Sequence, residues 1–424
     1  MGVQVSTVPE VRVPGDKSIS HRALILAVLA SGTSRITGLL DSADVRSTAR
    51  VLRGLGAEIS DLSSAETTVI GHGARGLRVA VGALDCGNSG TTARLVAGVA
   101  AALPFETELT GDESLSRRPM RRVARPLEAM GARVTLAAGD TLPMRIHGGR
   151  LQSVDWESET SSAQVKSAIL LAGLAGGVTA AVREQRRSRD HTERMLRAMG
   201  AEVEQDGSIV RLRPVHELTA VDRQVPGDPS SAAFLAAFAA LSGGVELALP
   251  DVCVNPTRAG FFALLQRMGA RISMEDRREQ AGELIATVRV FGGAELGATS
   301  VTAAEVPSMI DELPLLACVA ARAAGETVIE GAAELRVKES DRIAAVVAGL
   351  RAVGVEADER PDGMTVVGSR DPLRGRVRTH GDHRLAMAFG VLGALPGNDI
   401  EVDDPDCVGV SYPAFWQDLA RVAG

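Results

Sequence analysis

Several short segments of this 424-residue chain place cations, carboxylates and small polar residues together at what read as helix starts. VPGDKSISHR sets Lys17, Ser18 and Arg22 around one start, with Arg22 about a turn further on. GNSGTTAR offers Asn88, Gly90 and Thr91, and Gly90 lets a backbone come close to a ligand. RRPMRR crowds Arg117, Arg118, Arg121 and Arg122 together, Arg118 directly before Pro119. SSAQVKS supplies Ser161, Ser162, Ala163 and Gln164, and SRDH supplies Arg189. The first turn of a helix leaves backbone N–H groups unpaired and carries the positive end of the macrodipole, so such starts collect anions. Taken singly, each is also ordinary N-capping, and an arginine run is also an ordinary solvated face.

The C-terminal half differs in character. VPSMIDELP sets Asp311 and Glu312 amid apolar residues, where an acid is costly unless paired or used. RVKESDR packs Arg336, Lys338, Glu339, Asp341 and Arg342 together, and GDHR joins Asp382, His383 and Arg384. A salt-bridged helix start accounts for RVKESDR taken alone. Many fixed cations with a few carboxylates suit small, multiply anionic substrates undergoing acid–base chemistry. GDKS lacks the spacing of a phosphate-binding GxxxxGK loop. The seven histidines form no HxH or HExxH pattern, so no metal is expected.

What must position these residues is legible as a repeat. VPGD occurs at Val13–Asp16 and again at Val225–Asp228, 212 residues apart. A second signature, an amphipathic run closed by glycine, recurs at Gly56, Gly131, Gly200, Gly269, Gly354 and Gly424. Each is a helix stopped by a C-terminal glycine and, in most cases, turned into a strand. Ahead of each stands a more apolar helix, as in SISHRALILAVLA, SSAAFLAAFAAL and DELPLLACVAARAA, the last starting at Asp311. One repeat is thus about seventy residues, with two helices and several strands. The expected fold is α/β (α+β): two similar domains, each of three repeats of two helices and a small mixed sheet. They span 14–225 and 1–13 plus 226–424, joined by a two-stranded hinge, with the active site in an interdomain cleft. Because the sixth repeat stops at its glycine, residues 1–13 are expected to supply its missing strands.

Composition narrows the function classes. The net charge of -7, from 46 basic and 53 acidic side chains, gives no overall basic field for nucleic acid, and 3% aromatic residues give few stacking platforms. Cys86, Cys253, Cys318 and Cys407 are widely spaced, without a CxxC, and read as reduced thiols of a cytoplasmic protein. The longest apolar stretch, Ala168 to Val182, falls short of a membrane span. The opening MGVQVS matches a loose myristoylation pattern, but the alternation at Val3–Val5 reads as a strand.

VPGDKSISHRALI, GNSGT, the RRPM segment, SAQVKSA, VKESDR and DHRLAMA together resemble the 5-enolpyruvylshikimate-3-phosphate synthase family of the enolpyruvyl transferases. The resemblance runs in order through essentially the whole chain. It implies transfer of the carboxyvinyl group of phosphoenolpyruvate to the 5-hydroxyl of shikimate 3-phosphate, with release of phosphate and no cofactor. Each substrate carries a carboxylate and a phosphate, so the site must accept roughly five to six negative charges. By family match Lys17, Ser18, Arg22, Ser162, Ala163, Gln164, Arg189, Asp311 and Lys338 hold shikimate 3-phosphate. Lys17, Gly90, Arg118, Gln164, Arg342 and Arg384 hold phosphoenolpyruvate. Asp311 is implied as base for the hydroxyl and Glu339 as the acid that protonates and later deprotonates the methyl carbon, with Lys17 sharing the proton traffic.

Two departures and one agreement stand out. Val410, in GVSYP, replaces a lysine of the family's better-known branch; SAQVK and the SYP ending are closer to the second bacterial branch. Gly90 agrees with the glycine of the glyphosate-sensitive branch, which implies inhibition by glyphosate. The nearest alternative is the sister enzyme acting on a UDP-amino sugar, which uses a cysteine in the loop before the Arg-Pro; here GDESLSRRP has none. A non-catalytic anion-binding homologue is a second alternative, which Asp311 and Glu339 among the cations argue against. A monomer is expected.

Overall fold

The apolar runs that open each repeat leave no polar face, and such helices persist only inside a core. The computed structural model describes residues 9–159 and 161–424, so the Val3–Val5 stretch and the myristoylation pattern lie outside the described residues. In chain order the helices are α1 (Lys17–Leu29), α2 (Ala43–Gly54), α3 (Gly90–Ala100), α4 (Arg121–Ala129), α5 (Ala163–Gly176), α6 (His191–Ala198), α7 (Pro229–Leu241), α8 (Gly260–Arg267), α9 (Leu313–Ala320), α10 (Arg342–Ala352), α11 (His383–Gly393) and α12 (Phe415–Ala423). The first helix of each repeat is the buried one: α7 hides every residue from Pro229 to Ala240. The second is amphipathic, as in α4, which hides Val123, Ala124, Pro126 and Leu127 and turns arginines outward. Each second helix ends as the sequence pattern predicts. Gly56, Gly131, Gly200, Gly269, Gly354 and Gly424 all take positive φ, between +87° and +106°, where a Cβ would be strained.

Gly15–Val225 form one compact lobe together with Gln280–Glu283. Pro226–Glu279 and Leu284–Gly424, with the described residues before Gly15, form another. The tetrapeptide 280–283 is held in the N-terminal lobe by Arg223, which donates to the Ala281 carbonyl at 2.6 Å, and by His191, whose Nδ1 lies 2.8 Å from Glu283. In the second repeat, strands Leu84–Asp85, Glu106–Thr110, Thr141–His147 and Arg133–Ala137 lie side by side in that order, the first pair parallel and the rest antiparallel. The third and fifth repeats build the same sheet.

The first and fourth repeats borrow their leading strand. Arg223–Gln224 runs parallel to Ser31–Thr37, although it lies at the far end of that lobe's sequence. Glu10 makes a parallel bridge to Ala248 in the fourth repeat's sheet. The extended segment before each VPGD therefore completes a sheet in the lobe that the chain is about to leave. This corrects the expectation for residues 1–13. Their described part pairs in the fourth repeat, while the sixth keeps a two-stranded sheet of Arg374–Val377 and Asp399–Val402. The missing strands are compensated by packing: Phe415 of α12 meets Phe234 of α7, Tyr412 and Trp416 edge-on.

One helix start also differs from expectation. Asp311 lies in a 3-10 turn, Ile310–Glu312, and α9 begins only at Leu313 without a side-chain cap. The Asp311 carboxylate is committed to cations from other elements, so it does not cap its own helix. No helix among the described residues is long and apolar enough to cross a membrane, and all four cysteines are free thiols.

Candidate active site

In the N-terminal lobe, caps aim the chemistry. Asp16 accepts from the Ile19 N–H at 2.8 Å and so ends the turn that delivers Lys17 and Ser18 to the first positions of α1. Lys17 Nζ lies 3.0 Å from Asp44 Oδ2. Ser89 caps α3, accepting from Thr92 N–H at 3.1 Å, and places Gly90 first in that helix. A Cβ on Gly90 would come 2.8 Å from Arg94 Nη1 and 3.5 Å from Arg118 Nη1, so two guanidinium groups crowd this backbone. Arg118 donates to Asn88 Oδ1 at 2.8 Å and to Ser114 Oγ at 3.2 Å, from a loop three residues before α4. Ser162 caps α5, setting Ala163 and Gln164 in its first turn.

Gln164 ties two starts together. Its Oε1 accepts from Arg94 at 2.6 Å and its Nε2 donates to Thr91 Oγ1 at 3.0 Å. Arg22 is buried, donating to Thr192 Oγ1 (2.8 Å), the Ser18 carbonyl (2.9 Å) and Ser167 Oγ (2.8 Å). Burial, partly offset by Glu193 and Asp16, lowers its pKa to about 10. Arg189, half-buried on the segment before α6, adds a like charge facing Arg22.

In the C-terminal lobe the cations converge on carboxylates. Asp311 has Arg342 Nη1 at 3.5 Å, Lys338 Nζ at 3.8 Å and Arg384 Nη2 at 3.7 Å. Arg384 also donates to the Asp311 carbonyl at 3.3 Å. Glu339 accepts from Arg342 Nη2 at 2.7 Å. Arg342 is itself buried and braced by Asp382, which accepts from its Nε at 2.8 Å and Nη2 at 3.2 Å and also caps α11. Burial would strip charge from both partners, but each holds the other ionised: the Asp382 carboxyl sits below the usual range and the Arg342 guanidinium above it. RVKESDR therefore divides in two. Arg336 and Asp341 pair with each other at 2.8 Å, Asp341 capping α10, whereas Lys338, Glu339 and Arg342 gather around Asp311. Val410 ends a 3-10 turn before α12 and is half-buried.

Arg94 and Asp44 escaped the sequence reading. Arg94 sits in the apolar run of α3, and a cation in such a run signals a paired group, the reasoning that singled out Asp311. Asp44 carries no local signal; only the fold brings it to Lys17. Cys86 is buried, which pushes its thiol up to about 12 and makes it a poor nucleophile.

Residues 5–419 match the family model described as EPSP synthase (3-phosphoshikimate 1-carboxyvinyltransferase). The 3-phosphoshikimate 1-carboxyvinyltransferase of Sulfurihydrogenibium sp. is 48% identical over 417 residues, covering 97% of this chain and 96% of that one. The enzyme of the same name from Xylella fastidiosa is 48% identical over 414 residues, covering 97% and 90%. Among solved structures, EPSP synthase from Acinetobacter baumannii superposes with a TM-score of 0.86 at 40% identity, covering 98% of this chain and 95% of that one. The enolpyruvyl transferase NikO from Streptomyces tendae, at 19% identity and a TM-score of 0.76, shares the fold; it covers 98% and 94%. Identity at this level over nearly the full length, together with the family match over residues 5–419, places the chain in the EPSP synthase family, the 3-phosphoshikimate 1-carboxyvinyltransferases.

Proposed function

We propose that this chain transfers the carboxyvinyl group of phosphoenolpyruvate to the 5-hydroxyl of shikimate 3-phosphate, releasing phosphate, as a step toward chorismate and the aromatic amino acids. The observation that carries this reading is the gathering of Arg342, Arg384 and Lys338 within 4 Å of Asp311, with Glu339 on the same Arg342. Side chains supply the cations and two carboxylates supply proton transfer. Lys17, Ser18, Arg22, Ser162, Ala163, Gln164, Arg189, Asp311 and Lys338 take shikimate 3-phosphate. Gly90, Arg118, Arg342 and Arg384, with Lys17 and Gln164, take phosphoenolpyruvate.

In this mechanism Asp311 takes the proton of the 5-hydroxyl as its oxygen attacks the central carbon of phosphoenolpyruvate. Glu339 gives a proton to the methylene carbon, which becomes a methyl group. In the tetrahedral adduct the same Glu339 takes a proton back from that methyl group as the carbon–oxygen bond to phosphate breaks, restoring the double bond. Lys17 assists the proton traffic. We take the enzyme to act as a monomer in the cytoplasm, in keeping with its four free thiols.

The test is phosphate release from phosphoenolpyruvate with shikimate 3-phosphate in one arm and UDP-N-acetylglucosamine in the other. Turnover in the first arm alone is expected. Turnover in the second arm alone overturns the reading, and binding of both substrates without turnover makes the chain an anion-binding homologue.

A further inference from the structure

Lys166 lies in α5, where nearly every neighbour in sequence is apolar, and its side chain is 1% exposed. A buried ammonium is strongly destabilising unless paired. This one is paired twice, 2.8 Å from Glu184 Oε2 and 2.8 Å from Glu193 Oε1, and it donates to the Ser188 carbonyl at 3.4 Å. Burial works against its charge, but Glu193 and Glu184 outweigh burial and hold its pKa above the usual lysine value. Both carboxylates are buried as well. Glu184 is anchored further by the backbone N–H and hydroxyl of Ser188, at 3.2 and 2.5 Å.

One ammonium thus faces two carboxylates, and the charge that completes the balance is Arg22. Glu193 is the strongest influence opposing the effect of burial on that guanidinium. Arg22 in turn grips Thr192, the residue before Glu193, and Ser167, the residue after Lys166. Two consequences follow from the connectivity. The contacts to Glu184 and Ser188 tie the segment that carries Arg189 to α5, about one turn beyond Ser162 and two residues beyond Gln164. Without Lys166, the buried carboxylate of Glu193 would set its field beside Arg22 uncompensated, against any anion that Arg22 attracts.

We propose that Lys166 is a positioning residue for shikimate 3-phosphate, acting by cancelling the charge of Glu193 beside Arg22 and by tying the Arg189 segment to α5 through Glu184 and Ser188. It touches no reacting atom. The inference rests on the reading that Arg22 and Arg189 hold that substrate.

The experiment compares K166M, K166M/E193Q and E193Q in the full-length enzyme, reading kcat, both KM values and the midpoint of thermal unfolding. K166M raises the KM for shikimate 3-phosphate at least tenfold, while kcat and the KM for phosphoenolpyruvate change less than threefold. The double variant, which has lost more contacts but one charge of each sign, recovers at least threefold of that KM. E193Q keeps the Lys166–Glu184–Ser188 tie, preserves side-chain shape and folds even where K166M does not; its KM for shikimate 3-phosphate is no higher than that of the wild type. A double variant as weak as K166M, or a fivefold rise in E193Q, assigns the cluster to packing alone and overturns the proposal. R22A separates the two levels of inference. An unchanged KM for shikimate 3-phosphate in R22A removes the underlying substrate assignment, whereas a raised KM in R22A with none in K166M removes only the role of Lys166.

Discussion

The two copies of Val-Pro-Gly-Asp begin helices that use the same cap for different ends. At α1, Asp16 caps and Lys17 follows, so the first turn presents a cation next to Asp44. At α7, Asp228 is also the cap, accepting from the Ser230 N–H at 2.7 Å, but Pro229 stands where Lys17 does. The charges there turn inward. Arg258 donates to Asp228 at 3.1 Å and to Ser230 at 3.0 Å, and it lies 3.6 Å from Glu312, which also accepts from the Ser230 hydroxyl. The backbone device was kept through the repeat, and the residue after the cap decided its use. One copy leaves a cation at the helix start beside Asp44, while the other spends its charges holding Glu312, and with it the adjacent Asp311, in place. The contrast extends to the lobes: in one, polar and cationic side chains gather at helix starts, and in the other, cations converge on the carboxylates of Asp311 and Glu339, which in the proposed mechanism carry the proton transfer.

The strongest test of that division is Asp311→Asn, which keeps shape and removes the base. General-base catalysis contributes about 10²–10⁴-fold, so kcat is expected to fall on the order of 10³-fold while equilibrium binding of each substrate changes less than fivefold. Retention of a tenth of wild-type kcat would break the division, because the C-terminal lobe would then serve binding alone.

Lys17→Met comes next in size. As the cation that the α7 copy lacks, Lys17 is expected to cost about 100-fold in kcat/KM for both substrates, mostly through KM, consistent with the loss of a charge-assisted bond to each. An effect confined to one substrate would narrow its role to that ligand.

How far such contrasts could be read without coordinates depends on how local their causes are. The repeat was legible because each glycine stop and each Asp or Ser cap acts within one turn of helix. Asp311 was legible as a costly acid, yet its helix start was misplaced, since what holds it arrives from Lys338, Arg342 and Arg384. Lys166 carried the same warning, a charge in an apolar run, but its partners Glu184 and Glu193 stand 18 and 27 positions away. The exchanged leading strands could not be read either: pairing of Ile36 with Arg223 is a property of the closed lobe. So is the packing of Gly71, Gly148, Gly292 and Gly368, where a Cβ would collide with carbonyls at the end of the preceding apolar helix.

A smaller effect is expected from Gly90→Ala. The new methyl would meet the far end of Arg94, a flexible neighbour, and Gly90 does not take positive φ, so the fold should tolerate it. The KM for phosphoenolpyruvate is expected to rise about threefold to tenfold and that for shikimate 3-phosphate to stay within twofold, with a larger rise in the glyphosate concentration needed for half-inhibition. Equal shifts in both KM values would mean that Gly90 faces both ligands, and glyphosate insensitivity of the wild type would remove the inhibitor assignment.

The smallest effect concerns what braces the two helix starts. Charges brace α7, whereas α1, beyond the Lys17–Asp44 pair at its first residue, is also braced by a neutral relay in which His21 Nδ1 meets Thr48 Oγ1 at 2.6 Å, Thr48 meets Thr92 at 2.6 Å and Thr92 donates to Ser89 at 2.7 Å. Burial, reinforced by Lys17 and Arg22 against the pull of Asp44, lowers the His21 pKa from 6.5 to about 3. Below pH 6.5 the unfolded chain therefore gains a proton that the folded chain excludes. The His21 contribution is complete above that value and shrinks by about 1.4 kcal/mol per pH unit further down, so about 2 kcal/mol is lost by pH 5. Asp382, depressed below 3.8, loses its own contribution only in stronger acid, as pH falls through its folded pKa. Denaturant unfolding of the wild type and His21→Asn at pH 7 and pH 5 reads the relay directly: the stability difference between them should move by about 2 kcal/mol in favour of the variant. A difference independent of pH would mean that His21 is not held neutral, and that α1, like α7, is braced by charge.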